Sequence, residues 1–298
     1  DIRKDSDTGG TPVLKVEEID MFPQSQAHPI IFEDIVICDR QDKLKDDTLN
    51  KSVEGDDDST LSLDEPIQDP TQYKGIHLFV LVHGFQGNAI DMRLLKNNLS
   101  LYHPEALFLC SCANEDSTEG DIAEMGVRLA QEITNYISEW CPGSALGRLS
   151  FVGHSLGGLI VRSALPYLEE YSKKMYSFMT LSSPHLGYMY NSSKIIDAGL
   201  WLLKKWRKSK CLQQLTMTDQ KDYHETFIFQ LSQAKGMGWF KKVLFASSTQ
   251  DQYAPYDSAR IELSSKTASD QAKGNIYAKL TKNLLTNLTV DTLYRIDV

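Results

Sequence analysis

Leu149-Ser150-Phe151-Val152-Gly153-His154-Ser155-Leu156-Gly157-Gly158 decides how this chain reads. Residues 149–152 are apolar apart from Ser150 and of strand length, and residues 156–168 repeat their apolar positions at helical spacing. Between the two, Gly153, Ser155 and Gly157 fit the pattern G-x-S-x-G. A strand that turns directly into a helix there is bent so sharply that only small residues fit at 153 and 157, and the bend lifts the serine hydroxyl clear of the sheet. The helix that follows directs the positive end of its dipole to the same place, where a developing oxyanion is stabilised. Ser155 is therefore expected to be a nucleophile, with Gly153 and Gly157 as the small residues of its elbow.

Outward from the elbow, short apolar runs alternate with longer amphipathic ones. Residues 76–82, 106–110, 176–181, 243–246 and 290–296 read as further strands, and residues 89–99, 121–140 and 268–285 as helices. Strand and helix in alternation predict an α/β fold, a mostly parallel central sheet with helices on both faces. In such sheets the reactive groups lie in loops beyond the carboxyl ends of the strands. The loop after the strand at 76–82 reads Val82-His83-Gly84-Phe85-Gln86-Gly87. An elbow serine is served by one amide donor from a loop of this kind and one from the residue after the nucleophile. The oxyanion hole is thus expected from the backbone N–H groups of Phe85 and Leu156. His83 reads as structural, holding the loop by hydrogen bonds.

Four segments, HLFVLVHGFQGNAIDMRLL, FVGHSLGGLIVRSAL, LSSPHLG and SSTQDQYAPYDSARIE, together resemble the lipase-like serine esterase family of the α/β-hydrolase superfamily. Within it the chain is most similar to the C-terminal domain of the proteins called family with sequence similarity 135. The likeness runs from about residue 75 to the end. GHSLGG is shared by many lipases, whereas its combination with SSPHLG and D-x-x-x-P-Y-x-S-A-R is far more specific. The resemblance implies an α/β-hydrolase fold, ester hydrolysis of unsettled substrate, and further N-terminal domains in a longer polypeptide.

In this fold the triad runs in chain order Ser, then acid, then His. The acid is expected after the strand at 243–247, which selects Asp251, also the acidic position of the family motif ahead of Pro255, Tyr256, Ser258 and Ala259. Asp219 and Asp257 are rivals placed less well against a strand end. The seven histidines are 28, 77, 83, 103, 154, 185 and 224, and none follows Asp251. The base is therefore expected in polypeptide beyond Val298, and the domain is read as C-terminally incomplete. His185 is the best internal candidate, while His154 is expected to leave the elbow on another side.

Charge separates the chain into two parts. Residues 1–75 hold 19 Asp+Glu against 8 Lys+Arg, and the rest 21 against 23. Residues 1–74 read as an acidic, largely irregular linker or N-terminal extension, with a possible edge strand or docking segment at 30–37. Residues 75–298 read as the hydrolase domain, whose near neutrality argues against nucleic acid as a partner. No run reaches the ~18 apolar residues of a membrane span, and five cysteines with no CxxC spacing fit reduced thiols and the expectation of a cytoplasmic protein, membrane-associated through its cap. No metal or organic cofactor is required. Residues 187–240 interrupt the strand–helix rhythm and read as a cap. Trp201 and Trp206 would cover an acyl pocket, and Lys204, Lys205, Arg207, Lys208 and Lys210 would meet anionic headgroups of a membrane. The expectation is a serine ester hydrolase of lipid-like acyl esters. Its rivals are a non-catalytic scaffold on the same fold and an acyltransferase using the same triad.

Overall fold

A computed structural model describes residues 33–36, 74–190, 209–263 and 271–298, with only the backbone described at 33–36, 271 and 272. Seven strands form one sheet: β1 (Glu33–Val36), β2 (Ile76–Val82), β3 (Leu107–Cys110), β4 (Leu146–His154), β5 (Met175–Leu181), β6 (Lys242–Ser247) and β7 (Thr292–Asp297). Their order is β1-β7-β6-β5-β4-β2-β3. Strands β2 to β7 pair in parallel, and β1 adds antiparallel to β7 at one edge. The mostly parallel sheet expected from the alternation is therefore present, and residues 33–36 form an edge strand rather than a docking segment.

Side chains of β2 alternate with the period of a strand. Leu78, Val80 and Val82 enter the larger core, with α2 (Ile122–Trp140), α3 (Leu156–Ala164) and α7 (Gln271–Asn287) on that face. Phe79 and Leu81 enter a smaller cluster on the opposite face, under α1 (Arg93–Tyr102), which contributes Leu95 and Leu99. Helices thus cover both faces, as parallel sheets require. Helix α2 begins at Asp121, whose side chain accepts the Ala123 N–H at 2.7 Å. It lies close against α3, because a Cβ on Gly126 would come within 2.5 Å of Ser163 Oγ.

Two boundaries differ from the sequence reading. The helix expected from residue 89 begins with a 3-10 turn, Ala89–Met92, set by a capping box in which Asn88 and Asp91 bond each other's backbone. The helix expected over 156–168 is α-helical only to Ala164 and continues as 3-10 turns through Lys174, with Pro166 near the junction. Among the described residues, no helix is long and apolar enough to cross a membrane.

Candidate active site

Strand β4 runs to His154 and α3 begins at Leu156, so Ser155 alone makes the bend between them. Its backbone sits at φ 51° and ψ −120°, a conformation costing an L-residue on the order of 1–3 kcal/mol and found where structure over-determines it. Two bonds hold it. Ser155 N–H donates to Leu181 O at 2.8 Å, and Gly158 N–H donates to Ser155 O at 3.2 Å. The glycines on either side have no room for a side chain. A Cβ on Gly153 would lie 2.6 Å from the Gly158 backbone, and one on Gly157 would lie 2.2 Å from Val82 O. Ser155 is half-buried and lines a cavity of about 460 Å³ at the carboxyl ends of β2, β4, β5 and β6.

Phe85 and Leu156 line the same cavity. Leu156 is the first residue of α3, and an amide at that position has no acceptor within its own helix. Phe85 occupies the second position of a turn closed by Gly87 N–H donating to Gly84 O at 3.1 Å. The same carbonyl lies 3.0 Å from His83 Nδ1, which donates to it when the ring proton is on that nitrogen. In a trans peptide the Gly84 carbonyl and the Phe85 N–H point in opposite directions. The two donors on Gly84 O therefore hold the peptide plane before Phe85, which carries its N–H. His83 is buried, as its structural reading requires, and its Nε2 has no hydrogen-bond partner.

Asp251 lies four residues beyond the end of β6 and lines the same cavity as Ser155. Its Oδ1 accepts the N–H groups of Tyr253 (2.8 Å) and Ala254 (3.0 Å), an Asx-type turn that sets the carboxylate. The rival acids stand elsewhere. Asp219 accepts the Phe227 N–H at 2.8 Å, at the start of α5 (Phe227–Gln233), and burial pushes its carboxyl up. Asp257 belongs to the first turn of α6 (Tyr256–Arg260). Neither lines the cavity. The apolar part of the lining includes Phe85, Leu156, Tyr188, Leu212, Leu215 and Ala254.

A family model described as "Putative serine esterase (DUF676)" matches residues 72–267, which spans the elbow, the Phe85 loop and Asp251. The chain belongs to this serine esterase family. It is similar to "Putative lipase ROG1" of Saccharomyces cerevisiae, 33% identical over 143 residues, which cover 44% of this chain and 20% of that protein. It is also similar to "Putative lipase C4A8.10" of Schizosaccharomyces pombe, 28% identical over 226 residues, which cover 68% of this chain and 28% of that protein. The chain thus spans about a fifth to a quarter of the length of these curated relatives. A solved structure of a "putative cell surface hydrolase" from Lactobacillus plantarum aligns with a TM-score of 0.42 at 16% identity, covering 75% of this chain and 82% of that one.

In this member of the serine esterase family the histidines take distinct places. His185 lies in the core with no exposed surface, its Nε2 3.0 Å from Thr180 Oγ1 and its ring against Phe245. Burial, with Arg162 beside it, holds its ring well below the usual imidazole range. The loop Ser182–Gly187 thus turns His185 inward while Ser182 and Pro184 face the cavity, and the internal candidate for the base is set aside. His154 lines the cavity, contrary to the expectation that it leaves the elbow elsewhere. Burial pulls its ring down, opposed by the attraction of Asp251 and Asp91.

Two features of this esterase domain had no sequence signal. Arg162, on the helix behind the nucleophile, is buried and donates to His185 O (2.9 Å) and Leu231 O (3.1 Å), tying the 182–187 loop to α5. Ser258 Oγ accepts the buried Leu186 N–H at 2.9 Å, which ties that same loop to the segment after Asp251. In the cap, α4 (Lys210–Leu215) and α5 are described, whereas the tryptophan- and lysine-bearing stretch at 191–208 lies outside the described residues. Lys210, grouped with the headgroup-binding residues on sequence grounds, pairs with Asp121 at the start of α2 instead.

Proposed function

We propose that this domain hydrolyses acyl esters with Ser155 as the nucleophile. The observation that carries the reading is the shared cavity: a strained serine, two amides at positions 85 and 156, and a carboxylate at 251 line one apolar-walled space. In this reading Ser155 Oγ attacks the ester carbonyl, and the Phe85 and Leu156 N–H groups stabilise the negative charge that forms on its oxygen. An imidazole takes the serine proton and delivers it to the leaving alcohol, and Asp251 holds that ring in one tautomer. Water then repeats the attack on the acyl-enzyme and releases the acid.

The imidazole in this proposal comes from polypeptide following β7. Supporting it, Val298 N–H donates to Ser247 O at 2.9 Å, so the chain leaves β7 beside the end of β6, the strand that leads to Asp251. The apolar walls favour an uncharged acyl chain, in keeping with the lipase names of the yeast relatives. A cap whose basic stretch at 204–208 meets anionic lipid headgroups belongs to the same proposal.

The test is hydrolysis of p-nitrophenyl esters of graded chain length by the full-length protein and its Ser155→Ala variant. Activity that rises from acetate to longer acyl chains and disappears in the variant is the expected result. Equal rates with and without the serine would leave the domain as a scaffold.

A further inference from the structure

Thr118 lies in the loop between β3 and α2, far in sequence from the residue it serves. Its hydroxyl is almost wholly buried and accepts the Gln86 N–H at 2.8 Å. Gln86 adopts φ 54°, the left-handed region that disfavours a residue with a Cβ. Such a residue stays there only when its surroundings hold it. A second bond from the same loop, Gln86 Nε2 to Glu119 Oε1 at 2.7 Å, adds to the hold.

The loop is itself fixed. Glu119 O accepts from Lys210 N–H (2.9 Å) and Ser209 Oγ (3.1 Å), and Gln214 reaches back to accept the Ile122 N–H at 2.9 Å. The base of the cap thus clamps the segment that carries Thr118. On the other side, the peptide before Phe85 is held through Gly84 O, as described above. The two peptide planes flanking Phe85 therefore have separate anchors, and together they set its φ and ψ and hence the aim of its amide.

We infer that Thr118 is a positioning residue for ester hydrolysis, pinning the Phe85–Gln86 peptide so that the Phe85 N–H stands ready for the oxyanion. This rests on the esterase reading. Thr118 is not among the residues lining the cavity, so its effect passes through the loop alone. A donor that matters mainly in the transition state lowers kcat and leaves KM nearly unchanged when it is displaced.

The test compares Thr118→Val, which keeps the shape and loses the acceptor, with Thr118→Ser, which keeps the hydroxyl, in the full-length protein. Thermal melts confirm that each is folded, and amide hydrogen exchange is followed at Gln86. The expected result is a fall in kcat of about tenfold or more for the valine variant, with KM within about twofold. Gln86 exchange should be faster, and the serine variant should return both readouts towards wild type. Wild-type kcat in the valine variant, or equal losses in both variants, would overturn the inference. Equal hydrolysis by wild type and Ser155→Ala would overturn the esterase reading and with it the catalytic role. Exchange at Gln86 reads the pin separately, and unchanged exchange in Thr118→Val would overturn that too.

Discussion

A Cβ placed on Gly84 would lie 3.0 Å from the Cβ of Ser155, and 3.2 Å from the carbonyl oxygen of His154. The loop after β2 and the elbow after β4 therefore touch through the hydrogen of a glycine. That contact is what brings the Phe85 amide and the serine hydroxyl to one cavity wall. A methyl group there must be absorbed by moving one loop off the other.

Gly84→Ala is accordingly expected to reduce ester hydrolysis by about 10- to 100-fold, approaching the loss of one oxyanion donor. The neighbouring atoms need give by only a few tenths of an ångström, so the melting temperature should fall by only a few degrees, of the order expected for ~1 kcal/mol. Steady-state rates and thermal melts on the same preparation check both parts. A large loss of stability with unchanged specific activity would contradict the packing account.

Asp251→Asn retains an oxygen able to accept the Tyr253 and Ala254 amides, so the local turn should persist. The amide no longer enforces the imidazole tautomer or balances an imidazolium. A fall in kcat of ~10³ to 10⁴ is expected with an unchanged circular dichroism spectrum. Activity within a few-fold of wild type would remove Asp251 from the proposed triad. Asp219 and Asp257 serve as controls, since neither reaches the cavity.

Acid should weaken the domain through two histidines. His77, on β2, bonds Ser150 Oγ at 2.8 Å, and burial, with Arg148 and His103 nearby, lowers its ring to about 4. His185 is also held well below the usual imidazole range, chiefly by burial. Both are neutral when folded, whereas the unfolded rings take up protons below about 6.5. The unfolded state then binds more protons. The stability these rings contribute is complete above pH 6.5 and is lost as pH falls, at up to ~1.4 kcal/mol per pH unit for each ring. For His77 the loss ends near pH 4 and stays below that ceiling, because the ring is only part-buried. Denaturant melts between pH 7 and 4 should show a shallower decline for His77→Gln than for wild type. Parallel curves would contradict this assignment.

The elbow was legible in the sequence because its demands are local: strand, glycine, serine, glycine and helix follow one another within a few residues. Strand β2 was legible for a similar reason, since a parallel strand buried on both faces is almost continuously apolar. Asp251 was found by its distance from a strand end. Thr118 and Arg162 carried no such mark. Each acts through a bond to residues more than 20 positions away, and threonine and arginine are common elsewhere in the chain. His185 is the best internal candidate for the base on sequence grounds because its position after β5 is right for a reactive loop. Whether such a side chain faces the cavity or the core depends on Arg162 and Thr180, which the local pattern does not reveal. The 3-10 turn before α1 followed from Asn88 and Asp91, a capping signal overlooked beneath the apolar spacing.

Ester hydrolysis by this domain requires that the bend after β4 present a reactive hydroxyl at position 155. A fluorophosphonate probe, applied to the full-length protein and traced by peptide mass mapping, tests it most directly. One phosphonylated residue, Ser155, is expected, with labelling abolished in Ser155→Ala and suppressed in Asp251→Asn. A folded wild-type protein that takes up no label, or that is labelled equally after Ser155→Ala, would contradict it.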